Sequence, residues 1–159
     1  MVVQIVLFSS TGSAAPAGSF EEEVLYGMQL CVDLGPGAPA SLVEKALGKP
    51  SETEKLDSST VGARYYPHGN LCALMIDVKT EESMGVSYFL KVNKFGLSFP
   101  DMNEAIKRVA EPIYGKPRTN DKAYYFRVKS KYFEGHNDVV VAGRLVDGED
   151  NIVISQTFF

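Results

Sequence analysis

Two lysines of this chain stand where phosphate chemistry has to be considered, in the tripeptides Gly48-Lys49-Pro50 and Gly115-Lys116-Pro117. A phosphate loop needs another glycine five residues before the glycine of the Gly-Lys pair, and a serine or threonine directly after the lysine. Val43 and Ala110 occupy those upstream places, and proline follows each lysine. The tripeptide therefore predicts the end of a helix, because glycine suits the position after the last helical residue and proline prevents continuation.

The histidines and the acidic runs do not predict a catalytic site. His68 and His136 fall in predicted turns with glycine and asparagine neighbours, so we expect both to be solvated. Glu21-Glu22-Glu23 and Glu81-Glu82 are typical of solvated turns or edges, and nothing singles out two of the 20 acids as a hydrolytic pair. No His or Cys cluster has metal-ligand spacing. We expect a protein that is not an enzyme and uses no cofactor or metal.

Strict alternation over residues 123–133 makes this stretch the main candidate for a binding surface. As a strand, it packs one face under the helices with Tyr124, Phe126, Val128 and Tyr132. The other face carries Tyr125, Arg127, Lys129, Lys131 and Phe133. Tyrosine, phenylalanine and arginine are favoured at interfaces, so this row predicts a partner-binding surface. The alternative is a half-exposed strand whose basic residues serve solubility.

The Gly-Lys-Pro tripeptide also indicates an internal repeat. Each copy is followed by a Tyr-Tyr pair, and the copies lie close to half the chain length apart. We predict a signal-like or linker segment at 1–19, a first repeat unit at 20–93 and a second at 94–159. The repeat sets Arg64 and Tyr66 in positions comparable to the basic and aromatic row of the second unit.

Each unit is predicted to be a helix followed by an antiparallel meander. In the first unit, residues 24–34 form a strand or a short helix, and a helix capped by Ser41 ends at Gly48. In the second unit, a helix capped by Asp101 ends at Gly115. The predicted strands are 61–66, 71–78, 86–92, 123–133, 139–145 and 152–159. With the helices on one face of one antiparallel sheet, the fold class is α+β.

The charge balance favours a protein partner. A net charge of -4 and a pI near 5.2 give no general attraction to nucleic acid or to an anionic membrane. One segment differs, because Lys107 to Lys131 holds eight basic residues and only two acids, Glu111 and Asp121. Single-stranded nucleic acid also suits aromatic and basic rows, but the overall acidity argues against it. We expect a protein partner with an acidic surface.

The cysteines and the N-terminus leave the compartment open. Cys31 and Cys72 are either a disulfide in an oxidising compartment or two buried thiols in the cytosol. The apolar stretch 2–8, followed by small residues, is either the end of a signal peptide or a strand. No stretch reaches the roughly 18 apolar residues of a transmembrane helix. We expect a periplasmic or secreted protein, with the cytoplasm as the alternative.

A resemblance to the small outer-membrane lipoprotein family SmpA/OmlA, in its helix and Leu-Gly-Lys-Pro turn, is found in the stretch that runs from Leu34-Gly35 through Ser41-Leu42-Val43-Glu44-Lys45-Ala46-Leu47-Gly48-Lys49-Pro50-Ser51-Glu52. That family shares a fold with the β-lactamase inhibitory protein, which is similar in length to this chain and looks like two such units in tandem on one concave sheet. The resemblance implies this fold and an open sheet face that binds a partner protein.

We therefore expect a non-catalytic binding module of the inhibitor or immunity type that uses an open aromatic and basic sheet face. Its predicted contact residues are Arg64, Tyr66, Tyr125, Arg127, Lys129, Lys131 and Phe133. Three alternatives stay open. They are an envelope assembly or structural factor, a small-ligand protein or enzyme with a cleft between the repeats, and a homodimer joined through the terminal strand at Phe158-Phe159.

Overall fold

A computed structural model of the protein describes residues 18–157. Its helices are α1 (Phe20–Leu34), α2 (Ala40–Leu47) and α3 (Phe99–Tyr114). Its strands are β1 (Glu52–Lys55), β2 (Thr60–Tyr65), β3 (Cys72–Asp77), β4 (Glu82–Lys91), β5 (Arg118–Thr119), β6 (Ala123–Lys129), β7 (His136–Val146) and β8 (Glu149–Thr157). The signal-like stretch 1–17 and the terminal pair Phe158-Phe159 lie outside the described residues.

Helix α1 settles the choice that the sequence left between strand and helix. Phe20, Val24, Met28 and Cys31 recur every three or four residues and are all buried, which is the spacing of a helix with one apolar face. The hydroxyl of Ser19 accepts a hydrogen bond from the backbone N–H of Glu22 at 3.2 Å and caps the first turn.

Helices α2 and α3 end where the tripeptides predict. The backbone N–H groups of Gly48 and Gly115 bond to the carbonyls of Glu44 and Glu111, four residues earlier. Both glycines have positive φ, at 76° and 83°, a conformation that costs a glycine little. The tripeptide is therefore a helix stop in both copies.

The starts of these helices differ from the predicted ones. Helix α2 begins at Ala40, after Pro39, and Ser41 lies inside it without capping. Ser98 caps α3 by accepting a hydrogen bond from the N–H of Asp101, so Asp101 is not the cap. Helix α3 starts before Pro100, which lies in its first turn. Proline is tolerated there because the backbone N–H that it lacks would have no partner within the helix.

The strands form one antiparallel sheet of eight, in the order β1-β2-β3-β4-β8-β7-β6-β5. The helices pack on one face of it, so the predicted α+β class is confirmed. Strands β1 and β5 were not predicted. Every residue in them is exposed, so they lack the apolar alternation that marks a half-buried strand.

Strands β4 and β8 join the two halves of the chain at the centre of the sheet, pairing from Gly85 with Thr157 to Lys91 with Asn151. Each half supplies four strands that follow a Gly-Lys-Pro helix stop. This order agrees with two tandem units, an interpretation that stays a prediction. Strand β8 pairs with β4 on one edge and β7 on the other, so its described residues offer no free edge to a second copy. The alternative of a homodimer joined through Phe158-Phe159 falls on residues outside the described range and stays a prediction.

The core lies between the helices and one face of the sheet. Its largest buried side chains include Met28, Tyr88, Leu90, Phe126 and Ile154. Helix α1 crosses the β4–β8 junction so closely that a Cβ on Gly27 would come within 2.5 Å of the Tyr88 ring and 2.8 Å of Ile154. The helices therefore cover this face, and residues of opposite parity on each strand lie on the other.

Candidate protein-binding face

The sheet face that carries no helix is called the open face here. Ser87 and Phe89 lie on it, because their neighbours Tyr88 and Leu90 are buried under the helices. One residue of each strand forms a line of registered partners across this face, which we call the cross-strand row. It consists of Glu52, Arg64, Ala73, Ser87, Ser155, Val140, Tyr125 and Arg118.

The second-half end of the open face is aromatic and basic. The guanidinium of Arg118 lies 5.6 Å from the ring centroid of Tyr125 and also pairs with Asp138. Arg127 follows Tyr125 on the same side of β6, and Lys129 follows Arg127. Both of these cations are exposed, and neither belongs to an ion pair within residues 18–157. The predicted assignment of Tyr125, Arg127 and Lys129 to one face agrees with this geometry.

Lys131 and Phe133 do not belong to the predicted row. Strand β6 ends at Lys129, and the hydroxyl of Ser130 accepts hydrogen bonds from the backbone N–H groups of Tyr132 and Phe133, at 3.1 and 3.3 Å. This local turn interrupts the alternation. Lys131 instead pairs with Asp33 near the end of α1, on the helix side of the sheet.

The first-half end of the open face contains Arg64. Its side chain is exposed and pairs with Glu52 of the neighbouring strand at 3.4 Å. Tyr66 lies just beyond β2, where a 3-10 turn begins, and its side chain is 45% exposed. Arg64 and Tyr125 occupy the same cross-strand row but lie near its opposite ends, whereas Tyr66 is a loop residue.

An apolar depression of about 350 Å³ lies beside Arg64 on the open face. Its apolar lining includes Leu56, Met75 and Phe89, and its floor includes Gly62 and Ala73. Glu52 and Glu54 also line it. A Cβ on Gly62 would lie 3.5 Å from Leu56, so the leucine already folds over the floor. The sequence did not predict this depression, because small strand residues carry no signal until their strands are aligned.

The two depressions described for this structure do not lie between the repeats, where the alternative of a ligand-binding cleft would place one. A second depression, of about 410 Å³, lies on the helix side and is lined by residues from Phe99 to Ile152, all of the second half. The apolar depression is lined only by residues of the first half. Between them, β4 and β8 pair directly, so the sheet is continuous at its centre.

A buried polar cluster corrects the expectation for two residues. Glu23 is only 1% exposed, although it was expected to be solvated. Its carboxylate lies 3.0 Å from Nδ1 of His68 and accepts hydrogen bonds from the Tyr88 hydroxyl, from Asn70 and from the backbone N–H of Gly18. His68 is therefore a partner of a buried acid and not a solvated turn residue.

Aromatic rings enclose this cluster. The Tyr26 ring lies 4.1 Å from the His68 ring and packs edge-on against Tyr88. Burial, and then the hydrogen bond and charge of Glu23, raise the pKa of Tyr88 far above its ordinary value. Tyr88 therefore stays protonated and donates to the carboxylate. The cluster joins α1 to the 67–70 turn and to β4, and its place inside the core indicates a structural role.

Cys31 and Cys72 are free thiols, so the structure contains the two-thiol alternative and not the disulfide. Both are fully buried. Burial raises the pKa of Cys72 to about 12 and holds that of Cys31 well above its usual value. Both thiols are therefore protonated at neutral pH, which makes them weak nucleophiles.

Neither a metal-ligand cluster nor a helix of membrane-spanning type is found among residues 18–157. No three His, Cys, Asp or Glu side chains in that range are grouped so that they would hold a metal ion. Within the same range, no helix has both the length and the apolar composition needed to cross a membrane.

No protein-family model, curated protein or solved structure matches this chain at a significant level. The resemblance to the SmpA/OmlA lipoproteins and to the β-lactamase inhibitory protein therefore stays a prediction. The candidate site rests on the geometry of the sheet alone.

Proposed function

We propose that this protein is a non-catalytic binding module, of the inhibitor or immunity type, that holds an acidic partner protein on its open face. The observation that carries the proposal is the helix-free sheet face with Arg64 at one end and Tyr125, Arg127 and Lys129 at the other. Tyrosine and arginine are the residue types that contribute most at interface centres. Unpaired surface cations mainly raise the rate of association with an acidic partner.

Two features of the open face support binding over a mere solvated surface. Its cations Arg127 and Lys129 belong to no ion pair in the part of the chain that the structure describes, and Asp138, which lies opposite Arg127 on β7, pairs with Arg118. The depression beside Arg64 adds apolar surface from Leu56, Met75 and Phe89. Apolar and polar contacts occur together in protein interfaces. A periplasmic or secreted location for this protein stays a prediction.

The test reverses two charges on the open face. An Arg127→Glu/Lys129→Glu variant is expected to lose affinity for the partner that the wild-type chain captures from a host extract, by at least about tenfold, because two attractive contacts become repulsive. The melting temperature is expected to stay within about 2 °C, since both side chains are exposed. Binding is measured by surface plasmon resonance and stability by thermal unfolding.

The matched control is Lys79→Glu/Lys116→Glu, which changes the net charge equally at two exposed lysines that lie outside every strand. It should leave affinity near the wild-type value. Equal affinity of the Arg127→Glu/Lys129→Glu variant and the wild type would refute the proposed function.

A further inference from the structure

We propose that the open face binds its partner through one extended segment that crosses the strands along the cross-strand row. An apolar side chain of this segment occupies the apolar depression, and a carboxylate about six residues further on lies beside Arg127 and Lys129. This inference rests on the proposed function and specifies the chemistry of the partner.

The side chains in the middle of the cross-strand row are small enough for the backbone of a bound segment to approach the sheet. Its central members are Ala73, Ser87, Ser155 and Val140, contributed by β3, β4, β8 and β7. All four side chains are small, and larger or charged ones stand only at the ends of the row, at Arg64 and Tyr125. Two serine hydroxyls in the middle are able to bond a segment that lies across them.

The apolar depression fixes one end of the segment. Leu56, Met75 and Phe89 surround a floor that includes Gly62 and Ala73. The side chain of Met75 is 37% exposed and that of Leu56 is 50% exposed, so apolar surface remains for a ligand to bury. A volume of about 350 Å³ suits one or two aliphatic or aromatic side chains and not a folded element.

Charge complementarity fixes the other end and the chemistry of the occupant. Arg127 and Lys129 belong to no ion pair among the described residues. Asp138 lies opposite Arg127 on β7 but pairs with Arg118, as Glu52 pairs with Arg64. A carboxylate on the segment is therefore drawn to the β6 end. Strand β3 lies four strand spacings from β6, which is about 19 Å at roughly 4.8 Å per spacing and corresponds to about six extended residues.

The experiment titrates the full ¹⁵N-labelled chain with the peptide acetyl-Leu-Thr-Ser-Thr-Ser-Glu-Glu-amide and follows backbone amide shifts. Shifts are expected at the amides of Gly62 and Ala73 and also at those of Arg127 and Lys129. A matched peptide of the same composition, acetyl-Leu-Glu-Glu-Thr-Ser-Thr-Ser-amide, is expected to bind at least about fivefold more weakly, because its leucine and its carboxylates do not reach the two ends together.

Two variants test the two ends of the proposed binding site separately. Ala73→Leu fills the depression from the solvent side and should reduce affinity for the first peptide by at least about fivefold. The Arg127→Glu/Lys129→Glu variant should reduce it by a similar factor. Unchanged thermal unfolding of Ala73→Leu shows that the loss does not come from misfolding.

Equal affinity for both peptides, or shifts confined to one end, would overturn the inference. Shifts at Gly62 and Ala73 that change with protein concentration in the absence of peptide would also overturn it, since a second copy would then be the occupant. If the Arg127→Glu/Lys129→Glu variant loses the captured partner while the peptides fail, the inference falls and the proposed function stands. If that variant also keeps the captured partner, both fall.

Discussion

Glu23 is buried, although its neighbours in the sequence predict an exposed side chain. It is the third of three consecutive glutamates at the start of a helix, where acids are usually solvated and favoured by the helix dipole. Glu21 follows that pattern in part, with an ion pair to Arg108. Glu23 instead turns inward, and its burial is tolerated because four donors surround the carboxylate.

The pairing of Glu23 with His68 is expected to contribute about 2 kcal/mol to the free energy of unfolding, since a hydrogen bond to a buried charge is worth about 1.5–3 kcal/mol. A double-mutant cycle of His68→Ala and Glu23→Gln measures this coupling by urea unfolding. His68 has a positive φ of 54°, which alanine adopts poorly. That cost is present in both arms of the cycle and cancels.

The control for this cycle is His136→Ala, an exposed histidine at the start of β7. It is expected to change the free energy of unfolding by less than about 0.5 kcal/mol. A coupling below about 0.5 kcal/mol between positions 23 and 68 would contradict the role assigned to the buried cluster.

At the scale of the element, neighbouring residues predict where a helix ends better than they predict where it begins. Gly48 and Gly115 end their helices because glycine alone takes the required backbone angles at low cost. Ser41 and Asp101 looked equally suitable as caps. Ser98 caps α3 instead, and Pro39 precedes α2 without a side-chain capping bond, because each helix extends further toward its N-terminus than its apolar stripe does.

Two serines provide a direct test of this difference. Ser98→Ala should lower the free energy of unfolding by about 1 kcal/mol, because it removes the side-chain acceptor for the N–H of Asp101. Ser41→Ala should be neutral or slightly stabilising, since Ser41 lies inside α2 without a capping bond and alanine is the better helix former. Urea unfolding of both variants measures the two changes in the free energy of unfolding. A larger decrease for Ser41→Ala than for Ser98→Ala would contradict the assignment of Ser98, and not Ser41, as a helix cap.

At the scale of the whole molecule, the β4–β8 junction makes the two halves one folding unit. Seven registered residue pairs join the strands, and α1 packs over both of them. The core residues Leu90 and Ile152 are cross-strand partners at this junction and are both fully buried. Neither half has a complete core on its own, so the two halves are expected to unfold together.

Ile154→Ala tests this cooperativity. Ile154 lies at 0% exposure on β8, so its truncation should cost about 2–5 kcal/mol. Hydrogen exchange should then show an equal loss of protection for amides of β3 in the first half and β6 in the second. The exposed Ile113→Ala in α3 should cost less than about 0.5 kcal/mol. Loss of protection in only one half would contradict a single cooperative unit.

Local residue patterns were enough to predict the fold class, both helix stops and the facing of Tyr124, Tyr125 and Arg127 along β6. Those features depend on residues within a few positions of one another, through helical spacing, strand alternation and the glycine backbone. Alternation failed beyond Lys129 because the hydroxyl of Ser130 bonds to the next backbone N–H groups, a competition that residue type alone does not reveal.

The strand order, the burial of Glu23 and the apolar depression depend on tertiary contacts that local patterns do not predict. Each requires partners far apart in the chain. Glu23 meets His68 across 45 positions, and Ser87 meets Ser155 only because the last strands of both halves pair at the centre. Such contacts depend on which strands adjoin, and that choice is made by the shared core and not by any local pattern of residues.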